Sequence, residues 1–258
     1  MKSINAFACP PLALPLAKLG DLFPLHKALP PIPAFKELDQ WKMEDDDAPI
    51  LTFLYQAHQP RRHLEFGTWQ GWGTVLCLES CGATAWTINI PTGETREDGT
   101  WAYGHRVIDI GRAPQPVVSE SYGEDEQGPI VYHRTDAAGY IGRLYRERNL
   151  GHRVCQIYCD SRNWDHLIYP PDFFDSVLID GGHQPDVVVN DTRKALQVLR
   201  PGGLILWHDF CPVPEIRARA ASVQGVTDGI AMILPEMERQ LAQIYWINPS
   251  WILMGIKK

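Results

Sequence analysis

Between His63 and Trp207 the chain keeps alternating short apolar runs with longer amphipathic ones, and this rhythm constrains the fold more than any other feature. His63–Gly67, Ala85–Ile90, Val154–Cys159, Ser176–Asp180 and Leu204–Trp207 read as strands, being short and rich in aliphatic and aromatic side chains. Pro49–His58, Thr74–Glu79, Asp136–Arg148 and Pro185–Leu199 read as helices. The last is the clearest: Val188, Thr192, Ala195, Leu196 and Leu199 share one face, and Pro201-Gly202-Gly203 stops it. A strand followed by a helix returns to its sheet by a crossover, which makes neighbouring strands parallel. Gln243–Ile247 and Trp251–Ile256, joined by Asn248-Pro249-Ser250, form an antiparallel C-terminal hairpin. The expected class is therefore α/β, with a mostly parallel sheet and helices on both faces.

Two segments break the rhythm. Seven of the 21 prolines fall within the first 33 residues, so residues 1–44 are expected to form an extended arm rather than a long helix or a central strand. Residues 45–258 then make the main domain, opening on Asp45-Asp46-Asp47, a cluster suited to a helix N-terminus. The second segment, residues 91–134, is long, polar and rich in glycine and proline, and it follows a strand end. A connection of that size is usually functional, so it is the candidate lid, with Trp101 and Tyr103 as candidate substrate contacts and His105 and His133 as alternative bases.

The balance of 24 Lys+Arg against 31 Asp+Glu gives a net charge of −7, which disfavours nucleic acid and anionic membranes as partners. No run is long and apolar enough for a membrane helix, and prolines interrupt the Ile4–Ala17 stretch that comes nearest to a signal peptide. Six cysteines are too few for a disulfide scaffold. Cys77/Cys81 and Cys155/Cys159 stand at CxxxC rather than CxxC spacing and read as buried free thiols, which suits a cytoplasmic protein.

In an open parallel sheet, ligands bind beyond the carboxyl ends of the strands. The first strand runs into Leu64-Glu65-Phe66-Gly67-Thr68-Trp69-Gln70-Gly71-Trp72-Gly73, where glycines allow a tight turn and a close ligand approach. A dinucleotide fingerprint, GxGxxG, would need glycine where Trp69 stands, so NAD is disfavoured. The third strand ends in Cys159-Asp160-Ser161, where Asp160 either accepts from an adenine amino group or caps the turn. The fourth ends in Ile179-Asp180-Gly181-Gly182-His183, and the fifth runs Arg200-Pro201-Gly202-Gly203-Leu204-Ile205-Leu206-Trp207-His208-Asp209.

Together, Glu-x-Gly-x-x-x-Gly, the IDGxH turn, a helix carrying Asp191-Thr192, RPGG and a terminal His-Asp resemble the class I S-adenosylmethionine-dependent methyltransferases. The likeness is to methyltransferase family 24, the macrocin O-methyltransferase-related small-molecule enzymes. It runs from about His63 to Asp209 and leaves the arm and lid unexplained. It implies a Rossmann-like fold and S-adenosylmethionine as cofactor, bound by Glu65, Phe66, Gly67, Thr68, Gly71, Asn89, Asp160, Ser161 and Asp180. One departure is Asn89, standing where the family usually has an acidic residue for the ribose hydroxyls.

Methyl transfer is an in-line displacement that needs a positioned acceptor, and a hydroxyl acceptor must also lose a proton. Two arrangements meet that need. In one, His183 or His208 is the general base, with Asp209 beside them in the catalytic set. In the other, Asp180, His208 and Asp209 hold Mg2+ or Mn2+, the histidine being softer than the all-oxygen shell magnesium prefers. The expected activity is methylation of a small-molecule hydroxyl, on a sugar or natural product, by a chain that can assemble as a homo-oligomer. An NAD-dependent oxidoreductase and a catalytically silent cofactor-binding partner are the alternatives.

Overall fold

The computed structural model describes residues 11–26, 38–41, 43–90, 106–109, 120–125, 128–133, 141–218 and 221–258, with backbone only for 39, 43, 44, 106–109, 120–125, 128–133 and 221. In chain order the elements begin with β1 (Leu12–Pro15), α1 (Ala48–His58), β2 (Arg62–Phe66), α2 (Trp72–Ser80) and β3 (Thr84–Asn89). After them come β4 (Arg106–Asp109), β5 (Glu120–Asp125), β6 (Gly128–His133), α3 (Arg143–Glu147), β7 (Val154–Tyr158) and β8 (Phe174–Ile179). The rest are α4 (Pro185–Val198), β9 (Leu199–Trp207), α5 (Pro214–Arg217), α6 (Ala221–Gln240), β10 (Leu241–Asn248) and β11 (Leu253–Lys257).

The main sheet has eight strands in the order β1-β10-β11-β9-β8-β2-β3-β7. The five from β9 to β7 are parallel, and β11 runs antiparallel to both β9 and β10. From β2 the chain builds outward through β3 to β7, then returns to the other side of β2 to lay down β8 and β9. Right-handed crossovers running in opposite directions put their helices on opposite faces of the sheet. The reversal also opens a crevice between the ends of β2 and β8.

Every residue of β8 is buried, and its two polar side chains are satisfied. Asp175 accepts from the backbone N–H groups of Arg61 and Arg62, at 3.0 and 2.8 Å, and from Arg200 Nε at 2.7 Å. The arginine of the RPGG sequence is thus a latch joining the starts of three strands. Burial pushes the Asp175 carboxyl up, but these donors outweigh it and hold the group below its usual range. Ser176 Oγ bonds His63 Nδ1 at 2.8 Å, and burial keeps that histidine neutral, with a pKa of about 3.

The structure departs from the sequence expectations in several places. Leu12–Pro15 of the arm pairs parallel with β10 as an edge strand, a position where proline costs no ladder bond. The candidate lid contains a separate three-stranded sheet, β4-β6-β5, while Trp101, Tyr103 and His105 lie outside the described residues. Of the helix expected over Asp136–Arg148 the described part, from residue 141 on, is helical over Arg143–Glu147, and residues 134–140 lie outside the described residues. The thiols are not uniformly buried: Cys155 is exposed, Cys81 and Cys159 are half-buried, and only Cys77 and Cys211 are buried among the described cysteines.

The longest helix, α6, is not among the helices expected from the sequence; it carries Gly225, Gly229 and Pro235, residues that disfavour a helix interior. Packing explains the glycines. A Cβ on Gly225 would sit 2.2 Å from the His183 carbonyl, and one on Gly229 would sit 2.8 Å from Val188 Cβ. Glycine lets α6 lie directly on the turn after β8. Among the described residues no helix is long and apolar enough to cross a membrane.

Candidate active site at the reversal of the sheet

The crevice is a real cleft. Phe66 and Gly67 line it from the end of β2, and Ile88 and Asn89 from the end of β3. Asp160 and Ser161 contribute beyond β7, Asp180 to Gly182 beyond β8, and Asp191 from α4. Gly67 has φ +94°, and an added Cβ would fall 2.0 Å from the Asp180 carbonyl oxygen, so the two strand ends touch through bare backbone.

The turn is held open by a specific network. Trp69, at φ 44°, lies in the left-handed region that a bulky side chain rarely adopts. Its N–H donates to Asn89 Oδ1 at 2.9 Å, its carbonyl accepts from the Gly142 N–H at 2.6 Å, and Asn89 Nδ2 donates to the Ile90 carbonyl at 2.8 Å. Aspartate at position 89 could accept from Trp69 but could not make the donation to Ile90. Glu65 lies beneath the turn, outside the cleft lining, accepting from Thr74 Oγ1 at 2.8 Å. Burial raises its carboxyl well above the usual range, and Gly73 leaves room for it, since a Cβ there would stand 3.1 Å from Glu65 Oε2.

At the far wall Asp160 is gripped by its neighbour, with Arg162 Nη2 2.7 Å from Oδ2 and the Arg162 N–H donating to Oδ1 at 2.9 Å. The turn is anchored to α4 through Lys194 Nζ, which donates to the carbonyls of Ser161, Arg162 and Trp164 at 2.7–2.8 Å. Beside it Asp191 is 1% exposed and bonded to Ser161 and Asn190. Burial lifts its pKa to about 7.

A second cluster stands where β8 and β9 end. Asp180, His183 and Asp209 each present a ligand atom, all within 4.8 Å of one another. His183 Nε2 lies 2.9 Å from Asp209 Oδ2. His208, 6% exposed, sits behind them with Nδ1 3.4 Å from Asp180 Oδ1 and 3.6 Å from Asp209 Oδ1. Burial pushes the imidazole down, but the two carboxylates outweigh it and keep its pKa well above the ordinary histidine value. Burial also raises Asp180, while at Asp209 the two histidines prevail and drive the carboxyl far down. Asp209 occupies φ 58°, a left-handed conformation costing about 1 kcal/mol; such strain collects at functional sites.

A family model described as a methyltransferase domain, methyltransferase family 24, matches residues 64–210, which is most of the chain and includes both clusters. The chain belongs to that family. It is an S-adenosylmethionine-dependent methyltransferase. Among solved structures it resembles the Podospora anserina methyltransferase PaMTH1, bound to S-adenosylhomocysteine, at 13% identity and TM-score 0.52 over 82% of this chain and 78% of that one. An O-methyltransferase family protein from Burkholderia thailandensis matches at 13% identity and TM-score 0.52 over 82% of this chain and 55% of the other. At such identities these likenesses speak for the fold. A search of curated proteins gives no match.

Of the methyltransferase residues singled out for the cofactor, Phe66, Gly67, Asn89, Asp160, Ser161 and Asp180 line the cleft. Glu65, Thr68 and Gly71 do not. Thr68 is buried and bonded to Thr87 Oγ1 at 2.7 Å, while Gly71 starts α2 at φ 95°. At the second cluster His183 stands closer to the metal-capable arrangement than His208, which faces the two carboxylates from the buried side. Two residues beside these clusters were not among the expected site residues: Asp191 entered the sequence reading only through the Asp191-Thr192 pair of the family likeness, and Asp47 only through its place in an acidic run.

Asp191 makes a measurable prediction. Its folded-state pKa of about 7 exceeds the ~3.9 of an unfolded aspartate, so the unfolded chain releases this proton first as pH rises. The stabilisation is full below ~4 and declines towards pH 7. Asp191→Asn removes that decline. Urea unfolding of both proteins should show the variant gaining about 2–3 kcal/mol on the wild type between pH 5 and pH 8. Parallel pH curves would refute the assignment.

Proposed function

We propose that this methyltransferase transfers its methyl group to a hydroxyl of a small molecule, with the cluster at the ends of β8 and β9 as the acceptor end of the site. The observation that carries this reading is the convergence of Asp180, His183 and Asp209 within 4.8 Å, next to a cleft that Asp180 itself lines. Asp180 belongs to both, so the methyl donor and the acceptor meet at that residue.

Each group then has a task. The glycine turn and Asn89 hold the nucleoside end, and Asp160 with Ser161 borders the adenine. Two carboxylates and an imidazole suit a divalent cation of the manganese or magnesium kind, and Asp180, His183 and Asp209 would hold it. Such a cation lowers the pKa of a hydroxyl and orients it. With no cation bound, His183, braced by Asp209 at 2.9 Å, is instead the side chain placed to take the acceptor proton. His208 is less suited to that role: it is buried and held in its charged form by its neighbours.

The test combines binding and turnover. Calorimetric titration with S-adenosylhomocysteine should give micromolar affinity, and NADH should give no heat. Methyl-labelled S-adenosylmethionine is then offered with hydroxylated sugars and phenols, and with amines as the contrast, in Mn2+ or in chelator. Label on hydroxyl acceptors, lost with chelator, is expected. Label confined to amines would sink the hydroxyl reading, and full activity in chelator would sink the cation.

A further inference from the structure

Asp47 ends the turn leading into α1, and an aspartate there would ordinarily spend its carboxylate on the N–H groups of the first helical turn. It makes no such cap. It is fully buried, and its oxygens reach two other parts of the chain. Oδ2 lies 3.1 Å from His208 Nε2, across 161 residues of sequence, and Oδ1 accepts from the Trp251 backbone N–H at 3.2 Å. The Trp251 indole in turn donates to the Leu38 carbonyl at 2.9 Å, tying the hairpin to the segment before α1.

This fixes the ring of His208 from both sides. With Nε2 directed at Asp47, Nδ1 faces Asp180 Oδ1 and Asp209 Oδ1, while Asp209 Oδ2 is left for His183. Turning the ring over would place carbon atoms against three carboxylates. We infer that Asp47 is a positioning residue of the acceptor end: it holds His208 with Nε2–H turned away from the cleft, and His208 so held sets which oxygens of Asp180 and Asp209 face the ligand. Asp47 contacts neither cofactor nor acceptor and acts through the imidazole. The inference rests on the reading of the β8 and β9 ends as the acceptor end.

Asp47→Asn tests this with little change of volume. Asparagine has one acceptor oxygen where two donors, the Trp251 N–H and His208 Nε2–H, require acceptors, so the imidazole either faces the amide NH2 or keeps a neutral oxygen in place of a charged one, and its ring nitrogens shift in both cases. The readout is the ring nitrogen spectrum of full-length protein labelled with 15N-histidine, His208 being assigned by its disappearance in His208→Gln. In wild type, Nε2 should carry a proton protected from exchange. In Asp47→Asn that resonance should shift or lose its protection. S-adenosylhomocysteine affinity should stay within about threefold, and Mn2+ affinity should fall on the order of 10- to 100-fold.

An unprotonated Nε2 in wild type, or an unchanged His208 spectrum in the variant, overturns the inference. An unprotonated Nε2 in wild type overturns it even if the variant does not fold. A changed spectrum together with Mn2+ binding that is insensitive to Asp209→Asn would keep Asp47 as the residue that orients His208 and remove the cation reading of the strand ends. The two claims therefore fail separately.

Discussion

Replacing Gly67 by alanine is expected to abolish S-adenosylhomocysteine binding and to destabilise the enzyme by about 4 kcal/mol or more, an effect large enough to diagnose a single cause. Two costs add. At φ +94° an L side chain is strained even in open space, by about 1–3 kcal/mol. Space is also absent: the new methyl group would lie 2.0 Å from the Asp180 carbonyl oxygen and 2.6 Å from Gly181 Cα, both backbone atoms that no rotamer change can move. The ends of β2 and β8 must part, and these ends form the cleft. For a domain of this size the midpoint of thermal unfolding should drop by about 8–16 °C. Gly82→Ala is the control, because a Cβ there meets nothing within 4 Å and its midpoint should barely move. Equal behaviour of the two variants in thermal melts would show that the strand ends do not touch as described.

Asp209→Asn is expected to separate chemistry from cofactor binding. The side chain keeps its volume but loses the charge that holds His183 at 2.9 Å and faces His208 at 3.6 Å. Turnover should fall on the order of 10²–10⁴-fold, the range for losing a positioned proton-transfer or charge-stabilising group. S-adenosylhomocysteine affinity should change by less than about threefold, since Asp209 does not line the cleft between the ends of β2 and β8. Rates measured at saturating cofactor on the acceptor found in the screen decide it. An unchanged rate would remove Asp209 from the chemistry, and with it both the cation and the general-base versions of the site. Loss of cofactor affinity in parallel with rate would place the residue in the wrong half of the active site.

Much of this molecule was legible in its sequence. The strands at β2, β3, β7, β8 and β9 and the helix α4 follow from apolar periodicity, which is set by near neighbours in the chain. The glycine turn, the IDGxH turn and the His-Asp strand end were legible too, because each is a contiguous run whose chemistry does not depend on what packs against it. Asp160 is an intermediate case: its pairing with Arg162 is local, but its place on the cleft wall is not.

What the tertiary structure alone decided is which distant residues meet. Gly225 and Gly229 disfavour a helix by local propensity, and only the assembled fold gives them a use, as bare backbone of α6 against His183 and Val188. Asp47 reads as a helix cap until the carboxylate turns inward to His208, and no local pattern encodes a contact across 161 residues. Periodicity specifies elements, since it is a property of adjacent side chains and backbone. The convergence of Asp47, Asp180, His183, His208 and Asp209 is a property of the crossovers and of the reversal between β2 and β8, and it exists only once the whole sheet is assembled.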